Sequence, residues 1–219
     1  QHYSLGELVA SEKNERGYVN VSYVIETEAT GARATYFLRK YKPSIREEEI
    51  QFEHSLIDHL VAKQTLPVAR VHRTQEGSSY LHWAGDPPGA PGIFYAIFDF
   101  LPGEDRYTWL DTRCTDRELE NAARVLAKFH AAVADLRPRG KRAEPKILDL
   151  LPAIAGNVAK TPQRDKHTAF DACLLAHLDF LLDEIREIQA ILQQPECNAL
   201  PETVIHCDYH PGTLKFVAE

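Results

Sequence analysis

The chain has no methionine in 219 residues, and its four cysteines, Cys114, Cys173, Cys197 and Cys207, share no CxxC spacing. That pattern excludes a zinc ribbon or a dithiol redox centre and suits reduced thiols in a cytoplasmic setting. No apolar run is long enough to cross a bilayer, and Gln1-His2-Tyr3-Ser4 lacks the basic and then apolar character of a secretory signal, so no membrane partner is expected. Positive charge is scarce: 25 Lys and Arg stand against 32 Asp and Glu, for a net charge of −7. Without a basic stripe there are no counterions to release, so nucleic acid is not an expected partner. The one basic cluster, Arg137 to Lys146, is interrupted by Pro138, Gly140 and Pro145 and reads as a solvated loop. No GxGxxG is present; near the first turn there is only Gly17. No internal repeat or low-complexity stretch occurs.

What is present is a globular composition, 44% hydrophobic, with a change of periodicity part-way along. Residues 5 to 42 alternate like an antiparallel sheet, with strand formers over Tyr18 to Glu26, a turn at Thr30-Gly31 and a returning strand Thr35 to Arg39. Alternation puts Arg39 and Lys40 on opposite faces. Ile50, Glu53, Ile57 and Leu60 then fall at helical spacing within roughly Ile45 to Lys63, so Glu53 shares the apolar face, where a carboxylate needs a cation. Leu66-Pro67-Val68 ends the helix and opens another strand, Gly85 to Gly92 is a turn-rich loop, and Ile93 to Phe100 reads as a buried strand broken by Leu101-Pro102-Gly103-Glu104.

Beyond that break the pattern is helical. Thr115-x-x-Glu118 predicts a capping box, followed by an apolar stripe of Leu119, Ala122, Ala123, Leu126, His130 and Val133 on which His130 reads as a core histidine. A short apolar run, Ile147 to Leu151, is expected to stop at Pro152, and a long helix to run from Phe170 to about Gln193, with Asp183, Glu184 and Glu187 facing solvent.

The segment Val204-Ile205-His206-Cys207-Asp208-Tyr209-His210-Pro211-Gly212-Thr213 reads as a strand entering a polar loop, with one carboxylate between two imidazoles and a second strand after it. An aspartate so held can accept a proton from a substrate hydroxyl.

His206, Asp208, His210, Pro211 and Gly212 resemble the His-Gly-Asp-x-His-x-x-Asn loop of the aminoglycoside phosphotransferase and choline kinase-like enzymes, a branch of the protein-kinase-like fold that includes a homoserine kinase type. The resemblance implies an α+β, two-lobed fold: an antiparallel-sheet lobe with one helix over 1–100 and a mostly helical lobe over 101–219. It also implies an ATP- and Mg2+-dependent transfer of a phosphoryl group to a small-molecule hydroxyl, with Asp208 as catalytic base flanked by His206 and His210. Asn20-x-Ser22-Tyr23 resembles the phosphate-covering hairpin. Arg39 matches the strand cation that reaches the inner phosphates, and Glu53 its helix partner. Leu101-Pro102-Gly103-Glu104 resembles the hinge, which places an adenine against Phe98, Asp99 and Phe100. Cys207 stands where the family has glycine, and Thr213 where it has the asparagine that ligates the metal.

Two other readings stay open on the residues alone: a nucleotide-binding module without turnover, and a zinc site or metallohydrolase built on His206, Asp208 and His210. Because the chain stops three residues after Phe216, it is expected to be a fragment that lacks the family's second metal-binding aspartate and turns over poorly.

Overall fold

Thr30 and Gly31 both have positive φ, 50° and 81°, the two-residue turn whose twist matches that of antiparallel strands. They join β2 (Val21–Ala29) to β3 (Ala32–Lys40). β1 (Glu7–Asn14) pairs with β2 at the outer edge, where its charged residues discourage further strand addition. On the other side β3 pairs with β5 (Ile93–Asp99), and β5 with β4 (Leu81–Trp83). The result is an antiparallel sheet ordered β1-β2-β3-β5-β4. The computed structural model describes residues 2–15, 19–85, 92–108, 110–111, 113–142, 144–163 and 168–217; Gly17 and most of the loop between Gly85 and Gly92 lie outside them.

One face of the sheet is covered by α1 (Glu47–Lys63), whose Ile50 is fully buried with Tyr41, Val71, Ala96 and Phe98. The far end of α1 packs on α2 (Asp116–Val133) through Leu60, Phe129, Ala132 and Val133, and Val204 inserts into the same cluster. The predicted capping box forms: Thr115 accepts from the Glu118 backbone N–H, and Glu118 accepts from the Thr115 backbone at 2.9 Å. Glu118 also accepts from the Tyr107 hydroxyl at 2.6 Å and from Arg106 at 3.0 Å, and these bonds pull its carboxyl down to about 2. Thr115→Ala is expected to cost about 1 kcal/mol, the usual cost of a lost N-cap, read as a lower urea midpoint.

The described residues form two compact units, Gln1–Arg142 with Thr203–Glu219, and Ala143–Glu202. In the second, α3 (Ile147–Ala159) packs along α5 (Leu178–Leu192), with α4 (Ala169–Ala176) and α6 (Pro195–Asn198) completing the set.

Several expectations are corrected. The strand after Leu66-Pro67-Val68 reduces to a single bridge, Val71 to Phe98, because Leu66 and Val68 are drawn into the cluster beneath α2. Val204 and Ile205 form no strand: Val204 packs into the same cluster and Ile205 is exposed, and Phe216 contributes only a bridge to Glu104. α3 continues through Pro152: one missing N–H removes one helical bond, and burial of Leu151 against its surroundings offsets that loss. The long helix breaks at His177 (φ −117°, ψ 11°) into α4 and α5, with no glycine or proline to announce it. Phe170, near the start of α4, is exposed. His130 is also exposed, as are Leu119 and Ala123; Phe129 and Ala132 join Ala122, Leu126 and Val133 on the inner side of α2. The carboxylates Asp183, Glu184 and Glu187 are exposed as expected.

Candidate active site

Alternation along β3 carries Phe37, Arg39 and Tyr41 to the face that α1 covers and leaves Lys40 on the other. There Arg39 Nη1 donates to Glu53 Oε1 at 2.5 Å, both side chains being about three-quarters buried. The guanidinium carbon also lies 4.9 Å from the Phe98 ring centroid and 5.7 Å from that of Tyr41, within cation–π range. Burial works against the Arg39 charge, but Glu53 and Tyr41 outweigh it and hold the group above its ordinary pKa. The pair anticipated from the sequence is therefore made.

Ser22, buried, sits directly opposite Arg39 in the β2–β3 register. Asn20 is engaged by the backbone: its Oδ1 accepts from the Lys42 N–H at 3.0 Å and ties the start of β2 to the end of β3. Phe98 is a core residue. Asp99 accepts from Arg70 Nε at 2.7 Å and from His72 Nε2 at 2.8 Å. Burial opposes ionisation there, yet these bonds hold the Asp99 carboxyl below its usual range. Its own N–H donates to the Arg70 carbonyl at 2.9 Å. Phe100 is more open, with Lys215 Nζ 5.6 Å from its ring centre.

The segment beyond Phe100 meets the segment after the loop. Glu104 N–H donates to the Phe216 carbonyl at 2.7 Å, and Phe216 N–H returns a bond to Glu104 at 3.0 Å. Gly103 permits this: its φ is 131°, and an added Cβ would stand 3.1 Å from the Lys215 Cβ. In the loop itself, Gly212 N–H donates to His210 Nδ1 at 3.1 Å. The His210 proton therefore sits on Nε2, which lies 3.5 Å from Asp208 Oδ1. Asp208 is 73% exposed and so available to a ligand. The Thr213 hydroxyl accepts from the His210 N–H at 3.3 Å and shares its proton between the carbonyls of Asp208 and His210, both at 2.9 Å. His206 stands apart from this group: its ring meets Tyr209 edge-on at 5.2 Å and Phe129 at 6.4 Å, and burial lowers its pKa. Tyr209 donates to the Ala122 carbonyl at 2.7 Å and fastens the loop to α2.

Cys207 has φ 69°, the left-handed region. A side chain there costs about 1–2 kcal/mol, partly offset by the extra unfolded-state freedom of glycine. Cys207→Gly is expected to stabilise the protein by about 0.5–1 kcal/mol, read as a raised denaturant midpoint.

Sequence reasoning missed Tyr41, His54 and Ser79, which continue the Arg39–Glu53 pair inward. His54 adjoins Glu53 and follows Ile50 by four residues, a helical position that could have flagged it. Among the described residues no three His, Cys, Asp or Glu side chains converge as metal ligands. The Thr213 hydroxyl oxygen is a hard donor of the kind magnesium takes, with its proton directed to the carbonyls of Asp208 and His210.

The profile of the phosphotransferase enzyme family matches residues 12–215. A curated homoserine kinase of Methylocella silvestris is 28% identical over 219 residues, which is all of this chain and 59% of that protein. One from Parvibaculum lavamentivorans is 26% identical over 217 residues, 99% of this chain and 58% of that protein. The chain thus spans less than two thirds of the length of these relatives. Among solved structures, the amicoumacin kinase hAmiN in complex with AMP-PNP, Ca2+ and Ami superposes with a TM-score of 0.50 at 13% identity, covering 76% of this chain and 51% of that one. That likeness is one of fold: an N-terminal antiparallel sheet with one helix, followed by helices, as in the protein-kinase-like class.

Proposed function

Since the chain belongs to the phosphotransferase enzyme family, we propose that the protein it represents moves the γ-phosphoryl group of ATP to the hydroxyl of a small amino alcohol of the homoserine class. The observation that carries this reading is the ion pair between Arg39 on β3 and Glu53 on α1. In kinases of this fold such a pair orients the inner phosphates. Lobes at 1–100 and 101–219 are the functional division that goes with it.

In this reading Arg39, held by Glu53, binds the α and β phosphates, with Ser22 on the strand beside it and Asn20 just before that strand, and the adenine lies where β5 ends, at Asp99 and Phe100, since the backbone of Phe98 is already paired with its neighbours. Asp208, exposed and acceptor-only when ionised, takes the hydrogen bond of the acceptor hydroxyl and directs its oxygen at the phosphorus; the proton passes to an Asp208 oxygen as the new bond forms. His210, with its proton on Nε2, biases which Asp208 oxygen is free. His206 braces the loop against Phe129 and Tyr209. A magnesium ion, when bound, would neutralise phosphate charge, and Thr213 is the loop side chain that would hold it. The amino-alcohol assignment rests on the homoserine kinases it resembles and on the acidic balance of the chain.

The test is titration with Mg–AMP-PNP. Arg39→Ala is expected to weaken binding by about tenfold, the usual scale of one charge-assisted contact. Equal affinity in both proteins would remove the basis of the assignment. A second reading, binding without turnover, is favoured by the engagement of the Thr213 hydroxyl with backbone carbonyls; ATP binding with no ADP release, restored by Thr213→Asn, would support it.

A further inference from the structure

Glu53 has a second oxygen, and its partner lies deeper than the ion pair. Tyr41 Oη stands 3.0 Å from Glu53 Oε2 and 2.9 Å from His54 Nε2, and His54 Nδ1 is 2.8 Å from Ser79 Oγ. Tyr41 and His54 are each 1% exposed and Ser79 9%, so water does not compete for these bonds.

The direction of every bond follows from one fact. A carboxylate only accepts, so the single phenolic proton of Tyr41 must point at Glu53. The Tyr41 oxygen can then only accept from His54, which requires the imidazole proton on Nε2. A neutral imidazole with Nε2–H has a bare Nδ1, so the Ser79 hydroxyl donates to it. Burial, aided by the charges of Arg39 and Arg73, keeps His54 neutral near neutral pH, with a pKa of about 4, as this arrangement needs.

We propose that Ser79, His54 and Tyr41 form a one-way hydrogen-bond relay that fixes the Glu53 carboxylate and, through it, the Arg39 guanidinium for phosphate binding. They are positioning residues, joining the segment before β4, the middle of α1 and the end of β3 at one carboxylate oxygen. The other oxygen is left to Arg39. The relay itself is a matter of structure; its purpose rests on the phosphotransferase reading.

Two measurements on the whole chain separate these levels. Nitrogen-15 NMR of histidine-labelled protein at neutral pH is expected to show His54 as a fixed Nε2–H tautomer; an Nδ1–H tautomer, or averaging between the two, overturns the relay. For its purpose, Tyr41→Phe removes one hydroxyl and keeps the buried ring. It is expected to weaken Mg–AMP-PNP binding by about five- to tenfold, as loss of a bond to a charged group does, and to have no further effect in a Glu53→Gln background, since Tyr41 acts only through Glu53. Unchanged affinity in Tyr41→Phe while Arg39→Ala loses binding, or losses that simply add to that of Glu53→Gln, overturns the positioning role and leaves the phosphotransferase reading standing. If the unaltered protein binds no Mg–AMP-PNP, both fail together, and the tautomer still reports on the relay alone.

Discussion

Asp208→Asn, made in the natural full-length protein, is expected to slow phosphoryl transfer by about two to four orders of magnitude, the range for loss of a positioned general base. The thermal midpoint should not move. Asp208 is 73% exposed, and its side-chain neighbour His210 Nε2 is 3.5 Å away, so removing the charge breaks no buried bond. Asparagine keeps the shape of the side chain but can no longer accept the proton. ADP release measured against homoserine and related amino alcohols checks this, and the same panel identifies the acceptor. Release at an undiminished rate would show that the loop aspartate is not the base. An equal fall in activity and in midpoint would show that the residue holds the loop together instead.

Acid is expected to destabilise the fold at a pH where most carboxylates are still ionised. His54 is almost wholly buried, and burial first, then the nearby Arg39 and Arg73, depress its pKa to about 4, while Glu53 and Asp58 pull the other way. The unfolded chain has an ordinary histidine at about 6.5. Below that value the unfolded state takes up a proton that the folded state refuses, so stability is complete above about pH 6.5 and falls as the pH drops towards 4. The loss amounts to about 2 kcal/mol by pH 5 and about 3 kcal/mol by pH 4, since each pH unit in that window costs about 1.4 kcal/mol for one proton taken up. His206, whose pKa is also lowered by burial, adds a smaller slope of the same sign. Urea denaturation between pH 7.5 and pH 5 measures the slope, and His54→Gln should flatten most of it. A pH-independent midpoint in the unaltered protein over that window would mean that His54 is protonated in the fold, which the bond directions around Tyr41 do not allow.

Much of the sheet was legible because its signals are local. The Thr30-Gly31 turn fixes the register of β2 against β3, period-two alternation puts Arg39 on one face, and helical spacing puts Glu53 on the matching face of α1. The meeting of the pair then follows from covering one face of a sheet with one helix. The Thr115 capping box was legible for the same reason: every bond in it spans three residues. Prediction failed where a segment's fate depends on distant surface. Leu66, Val68 and Val204 carry strand-like side chains, yet they are drawn into the apolar cluster under α2, and no ladder forms. On α2, Phe129 takes the burial read for His130 while Val133 keeps the place read for it, because the wide inner face admits either neighbour at its edge and packing against α1 selects the larger apolar ring.

The sequence by itself therefore determined which residue types the proposed chemistry uses and which elements carry them: a cation on β3, a carboxylate on α1, and an aspartate in a loop that resembles one family. Only the tertiary structure decided how those groups are held. Tyr41, His54 and Ser79 lie far apart along the chain, and no spacing connects them; it is burial in a common interior, where each polar atom must find a partner, that links them to Glu53. Likewise the left-handed backbone at Cys207 and the capture of the Thr213 hydroxyl by two carbonyls arise from closing the loop, a constraint that exists only once both of its ends are fixed.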